Sequence, residues 1–245
     1  FVYNADDAEV CGMCKLTDAK KISFGTNQDS NLYFTDVDMS IAGTSADLHY
    51  SDGEVARLTL KILGEHQLMN ATAAISVAEQ LGLPRSKVRH ALEQMELAER
   101  WRMQLTNRTD GISIINDAYN ASPDSMKAAL QTLAHLGKAG RRTIAVLGEM
   151  AELGEYSRDA HDQIGRLVVR YNIDRLVVIG AGAKLIHMGA MFEGSWDGES
   201  IFFDSSSEAL AYIREMLVSG DIVLVKSSKS ANLRHLGDDL LEVQS

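Results

Sequence analysis

The spacing of hydrophobic positions changes twice along this chain. Residues 1–63 are mixed. Phe1-Val2-Tyr3 followed by Asn4-Ala5-Asp6-Asp7 reads as a buried strand ending in a polar loop, with one short helix over Asp6 to Met13. Short β-like stretches follow at Ile22–Phe24, Leu32–Met39, Ala46–Tyr50 and Val55–Leu63. Asp52-Gly53 between the last two predicts a type I′ hairpin turn, because glycine takes the positive φ that such a turn demands. Residues 64–100 then carry helical spacing. Gly64 marks a turn, and His66 through Leu81 places Ala71, Ala74, Ala78 and Leu81 on one small-residue face. Gly82 stops that helix. Pro84 opens the next, where its missing N–H costs nothing, and Val88, Leu92 and Met95 form the apolar face.

From residue 111 onward, strand and helix patterns alternate. Ile112–Ile115, Thr143–Leu147, Leu176–Ile179, Ile201–Phe203 and Ile222–Val225 are short continuous apolar runs, the pattern of strands covered on both faces. Between them lie helical segments. Ser122 with Pro123 predicts a capped helix start, with Met126, Leu130 and Leu133 facing inward and Gly137 as the stop. Ser205 and Glu208 predict a capping box ahead of Leu210, Ile213 and Leu217. The alternation specifies an α/β domain, doubly wound around a mainly parallel sheet, with its boundary near Leu105. Residues 1–104 and 105–245 are therefore taken as two domains.

Composition narrows the function. The chain has 245 residues, 45% hydrophobic and 24% charged, which is ordinary for a globular protein. A formal net charge of −10 argues against binding nucleic acid or an anionic membrane, both of which call for basic surface. No apolar run approaches a membrane span. Cys11 and Cys14 form a single C-x-x-C without a second pair or suitably spaced histidines, so they read as reduced thiols on a helix and not as a zinc site. The chain begins at Phe1 within a strand pattern, which reads as truncation or processing.

The polar residues gather where strands end. No G-x-x-x-x-G-K-[ST] phosphate loop occurs, and Gly180-Ala181-Gly182 after a strand reads as a tight turn. His66 and Asn70 lie one turn apart at a helix start. They either cap the helix or, because an amide both donates and accepts, read a nucleobase. Asn116-Asp117-Ala118-Tyr119-Asn120-Ala121-Ser122-Pro123 follows a buried strand directly. Its carboxylate is either an Asx turn with a helix cap or a ligand for ribose hydroxyls. Glu149 and Glu152 in the loop after Leu147 form a solvated acidic loop or hold an ammonium group. Lys226 and Lys229, set among serines, form a basic turn or receive a carboxylate or phosphate.

These segments and their order resemble the Mur ligases. Gly64-x-His66-x-x-x-Asn70 and the alanines after it are similar to G-x-H-N-x-x-N-A-x-A-A. Arg100-Trp101-Arg102-Met103 and Asp117-Ala118-Tyr119-Asn120-Ala121-Ser122-Pro123-Asp124-Ser125-Met126 resemble R-M followed by D-x-Y-N-A-N-P-x-S-M. Val146 to Gly154 with His161 resembles V-L-G-D-M-x-E-L-G … H, and Val223 to Ser228 resembles V-L-V-K-G-S. The chain departs from the pattern at Gln67 (often Asn), Ser122 (Asn), Glu149 (Asp), Ser227 (Gly) and Lys229 (often Arg).

The resemblance implies the end of a central α/β ATPase domain followed by a complete Rossmann-like C-terminal ligase domain. The family's phosphate loop, magnesium ligands and N-terminal domain would precede Phe1, so this chain alone is expected to be inactive. It implies a cytoplasmic, monomeric, ATP- and Mg2+-dependent enzyme that adds D-alanyl-D-alanine to UDP-N-acetylmuramoyl-tripeptide in peptidoglycan synthesis. By the same resemblance Asn70 contacts adenine, Asp117 the ribose and Arg102 the phosphates, where it is the catalytic residue. His66 and Asn120 support the nucleotide, while Glu149, Lys226 and Ser228 serve the dipeptide. A sibling ligase of the superfamily, such as another amino-acid-adding Mur ligase or a folylpolyglutamate synthetase, or a non-catalytic nucleotide- or dipeptide-binding module are the alternatives.

Overall fold

The computed structural model describes residues 1–96, 99–194 and 199–242. Two compact units divide between Ala98 and Glu99, ahead of the Leu105 position expected from sequence. The shift has a local cause. Gln104–Asn107 is a strand of the second unit, and the Trp101 side chain just before it hydrogen-bonds to Asp238. Among the described residues no helix is long and apolar enough to cross a membrane.

The first unit contains β1 (Val2–Asn4), α1 (Ala8–Met13), β2 (Ile22–Gly25), β3 (Leu32–Ser40), β4 (Gly43–Tyr50), β5 (Val55–Leu60), α2 (Glu65–Gln80) and α3 (Arg85–Gln94). Its sheet runs β1-β2-β3-β4-β5, parallel as far as β3 and antiparallel beyond. α2 packs on this sheet through Leu68, Ala71, Thr72, Ile75 and Ser76. That face differs from the expected alanine face, since Ala74 is exposed and Leu81 lies past the helix end. Leu68 and Ile75 bury more apolar area than alanines do, and they set the helix's rotation. The β4–β5 turn also differs. Only Gly53 has a positive φ (+88°), and Tyr50 N donates to Glu54 O, so three residues make the connection. A type I′ turn would require two residues with positive φ. Cys11 and Cys14 are free thiols, and Cys11 Sγ donates to Ala5 O.

The second unit contains β6 (Gln104–Asn107), β7 (Ser113–Asn116), α4 (Pro123–Gly137), β8 (Thr143–Leu147), α5 (Ser157–Arg170), β9 (Arg175–Ile179), α6 (Lys184–Glu193), β10 (Ser200–Phe203), α7 (Ser206–Met216), β11 (Ile222–Lys226) and α8 (Leu233–Asp239). The sheet order is β10-β9-β8-β11-β7-β6, parallel throughout except for the β6–β7 pair. α4, α5 and α6 pack in succession along one face, and α7 and α8 cover the other. This is the expected doubly wound architecture. The strand core is fully buried, with Ile144, Val146, Val223 and Val225 each at 0% exposure.

Helix starts follow local chemistry. Ser122 caps α4 by accepting from Ser125 N, and Ser125 Oγ receives the Ser122 N–H, which completes a capping box with Pro123 at the first helical position. Ser205 stands at the cap of α7 without forming the expected box, because its hydroxyl pairs with Ser207 Oγ at 2.7 Å. The chain passes from β7 to β8 over the position that β11 later fills. Three strands therefore end side by side at a topological switch point, where open α/β sheets gather ligands.

Candidate functional site in the strand-end crevice

Asp117, Glu149 and the Lys226-Ser227-Ser228 run stand immediately after β7 and β8 and at the end of β11, so the sheet itself places them together. Lys226 is 2% exposed, and its ammonium donates to Asp117 Oδ2 at 2.5 Å and to Asn120 O at 3.0 Å. Its charge is thus matched and its hydrogen bonds are internal, as burial requires. Asp117 Oδ1 accepts from Met103 N at 2.9 Å, so one carboxylate links the Arg102 segment, the end of β7 and the end of β11. A carboxylate has about four acceptor positions, which leaves Asp117 able to take a further hydroxyl.

Ser228 is buried as well. Its hydroxyl accepts from Ala151 N at 2.8 Å, and its backbone N–H donates to Glu149 O. Gly148 N donates to Lys226 O. These bonds fasten the loop after β8 to the end of β11. His161, completely buried on α5, fastens its other side. Nδ1 lies 2.6 Å from Ser157 O, an atom that can only accept, so Nδ1 carries the proton and Nε2 accepts from Met150 N. The Glu149 side chain lies against Gly182, where a Cβ would come within 2.5 Å of its carboxyl carbon. Glycine at that position is what lets the carboxylate rest there.

Arg102 is exposed, with its guanidinium 4.3 Å from the centre of the Tyr119 ring and its Nε donating to Glu99. Lys229 reaches the same ring at 5.5 Å. Asn120 is exposed, and its carbonyl receives Lys226. Lys229 was among the basic residues read from sequence, whereas Tyr119 was not singled out although it lies inside a motif. The anchoring of this segment by Asp238 carried no sequence signal, because 137 positions separate Trp101 from Asp238.

The first unit holds the other candidates. Gly64, at φ +113°, starts α2, and its N–H donates to the buried Thr44 hydroxyl. A Cβ at Gly64 would meet the His66 ring. The Gln67 side chain lies 3.1 Å from His66 Nε2 and accepts from Asn70 Nδ2 at 3.3 Å, so Gln67 joins the two candidates. Asn70 is exposed on the first turns of the helix. Among the described residues, no group of three or more His, Cys, Asp or Glu side chains is placed to hold a metal ion.

Known proteins share this sequence and fold. A UDP-N-acetylmuramoyl-tripeptide–D-alanyl-D-alanine ligase of Mycobacterium bovis is 41% identical over 98% of this chain and 50% of its own length. Its Bacillus subtilis counterpart is 33% identical over 90% of the chain and 47% of its own length. The chain thus spans about half the length of the curated relatives it matches. The crystal structure of MurF from Acinetobacter baumannii superposes with a TM-score of 0.85 at 25% identity, covering 99% of this chain and 51% of that one. The Mur ligase middle domain matches residues 1–78, and the Mur ligase glutamate ligase domain matches residues 101–229. The second match alone takes in more than half of the sequence, and this chain belongs to the Mur ligases.

Proposed function

We propose that this chain is part of an ATP-dependent ligase that joins D-alanyl-D-alanine to UDP-N-acetylmuramoyl-tripeptide during peptidoglycan synthesis in the cytoplasm. The observation that carries this reading is the 41% identity to a ligase of that name across 98% of the chain. The polar residues fastened around the ends of β7, β8 and β11 support it.

In this reaction the tripeptide's terminal carboxylate attacks the γ-phosphate of ATP, giving an acyl phosphate and ADP. The dipeptide's amine adds to the acyl carbon, and the tetrahedral intermediate expels phosphate. Little of this is covalent chemistry by the protein, so positioning and charge stabilisation dominate. In the second unit Arg102 faces the phosphates, where a guanidinium suits developing negative charge. Asp117 takes the ribose, with Asn120 beside it, and Glu149 faces the dipeptide's amine. Lys226 and Ser228, both buried, serve by holding Asp117 and the 148–151 loop. In the first unit Asn70 is assigned to the adenine, with His66 in support. Mg2+ would accompany ATP and neutralise charge on its phosphates. The enzyme works as a monomer on this reading.

Arg102→Ala in the complete ligase is expected to lower turnover at least a hundredfold, the scale of losing one transition-state donor, while the melting temperature stays close to that of the unaltered protein. Turnover unchanged by this substitution removes Arg102 from the chemistry.

A further inference from the structure

Arg102 is held by its neighbours more than by its own packing. Its side chain is 54% exposed and rests on the Tyr119 ring. The residues on either side are both left-handed, Trp101 at φ +63° and Met103 at φ +48°. Such a backbone is unfavourable for residues other than glycine and persists only where the surroundings over-determine it.

The surroundings here are specific. Trp101 Nε1 donates to both carboxylate oxygens of Asp238, at 3.0 and 3.2 Å. Its backbone N–H donates to Gln104 Oε1 at 3.0 Å, and its carbonyl accepts from Tyr119 N at 3.1 Å. The indole also carries two guanidinium contacts, Arg100 at 4.9 Å and Arg234 at 5.5 Å, with His235 edge-on at 6.0 Å. On the other side, Met103 is buried and its N–H donates to Asp117. Asp238, on α8, also accepts from Arg100 at 3.0 Å and from Asn116 Nδ2 at 3.3 Å. α8 comes this close because Gly237 lies against the Asn116 amide, in space that any larger residue would fill.

We infer that Trp101 and Asp238 are positioning residues for Arg102. The Asp238 carboxylate ties the indole to α8 and to the end of β7, and this fixes the left-handed turn that aims the guanidinium over Tyr119. Because Trp101 and Arg102 are consecutive, any release of the indole shifts the Arg102 backbone directly. A misplacement of about 1 Å is enough to cost a reacting group around a hundredfold in rate. The catalytic half of the inference rests on the ligase reading, whereas the anchoring of Arg102 does not.

The test combines two measurements. In the complete ligase, Trp101→Phe keeps an aromatic ring but removes the donor, Asp238→Ala removes the acceptor, and Asp238→Asn keeps one. Trp101→Phe and Asp238→Ala are expected to lower kcat about tenfold or more, with Asp238→Asn restoring most of the loss. Joining Asp238→Ala to Arg102→Ala should slow the enzyme no further than Arg102→Ala alone, because both changes act on one group. Losses that multiply instead assign Asp238 a role separate from Arg102 and overturn the inference. In this chain itself, the NMR order parameter of the Arg102 Nε–H should fall in Trp101→Phe and Asp238→Ala and stay high in Asp238→Asn. An Arg102 as ordered in Trp101→Phe as in the unaltered chain overturns the anchoring, whatever the kinetics. If Arg102→Ala leaves turnover unchanged, the ligase role of Arg102 fails instead, and the NMR result alone decides the anchoring.

Discussion

Lys226 illustrates what a motif conveys and what it leaves open. Among hydroxyls at a strand end it reads equally well as a ligand for an anionic substrate or as a basic turn. In the structure the side chain turns inward and its ammonium joins Asp117 and the carbonyl of Asn120. The sequence could place Lys226 and Asp117 at strand ends, because apolar runs mark where strands stop. It could not pair them, because 109 positions and the return of β11 into the middle of the sheet lie between them. Lys226→Met therefore removes the partner of a nearly buried carboxylate, Asp117 being 13% exposed. It should destabilise the protein by about 3–5 kcal/mol, the usual cost of leaving half of a buried pair behind. Urea unfolding measures this directly, and a loss under about 1 kcal/mol would mean that the pair does not hold the strand ends together.

Among the elements, the parallel strands were the most legible. β7, β8, β9 and β11 are buried along most of their length and each carries a short continuous apolar stretch, and even the partly buried edge strand β10 keeps one. β6 escaped notice because an edge strand reading Gln-Leu-Thr-Asn has only one neighbour and carries no such signature. The face of α2 was misjudged because alanine spacing is a weaker signal than the burial of Leu68 and Ile75. Capping separates two helices that look alike in sequence. Ser122→Ala should cost about 1 kcal/mol, since it removes a hydrogen bond to an otherwise unpaired helix N–H. Ser205→Ala should stay within about 0.5 kcal/mol, as its hydroxyl bonds Ser207 and caps no helix N–H. Equal costs in denaturant unfolding would contradict this assignment. The α5–α6 crossing depends on glycine, because a Cβ at Gly165 would fall on the Ile186 carbonyl and one at Gly189 on the Asp162 carbonyl. Gly165→Ala is expected to cost about 1–3 kcal/mol through forced separation of the two helices, and an unchanged melting temperature would rule out so close a contact.

For the molecule as a whole, two units, one built on a five-stranded and one on a six-stranded sheet, carry the middle and glutamate ligase domains of a Mur ligase. The doubly wound second unit was legible from its alternation of strands and helices, and three of the motifs that resemble the family lie at the ends of β7, β8 and β11. The division between units was less so, because the segment from Arg100 to Met103 looks like a polar connection until Trp101 is seen docked on α8. The chain spans about half the length of its curated relatives, so its part in the reaction is best judged within the complete enzyme. There, phosphate release from ATP would be measured with UDP-N-acetylmuramoyl-tripeptide present, adding D-alanyl-D-alanine in one arm and single amino acids in the other. The proposed function predicts release that depends on the dipeptide and stays at background with single amino acids; release driven equally by another amine, or none with the dipeptide, would contradict it.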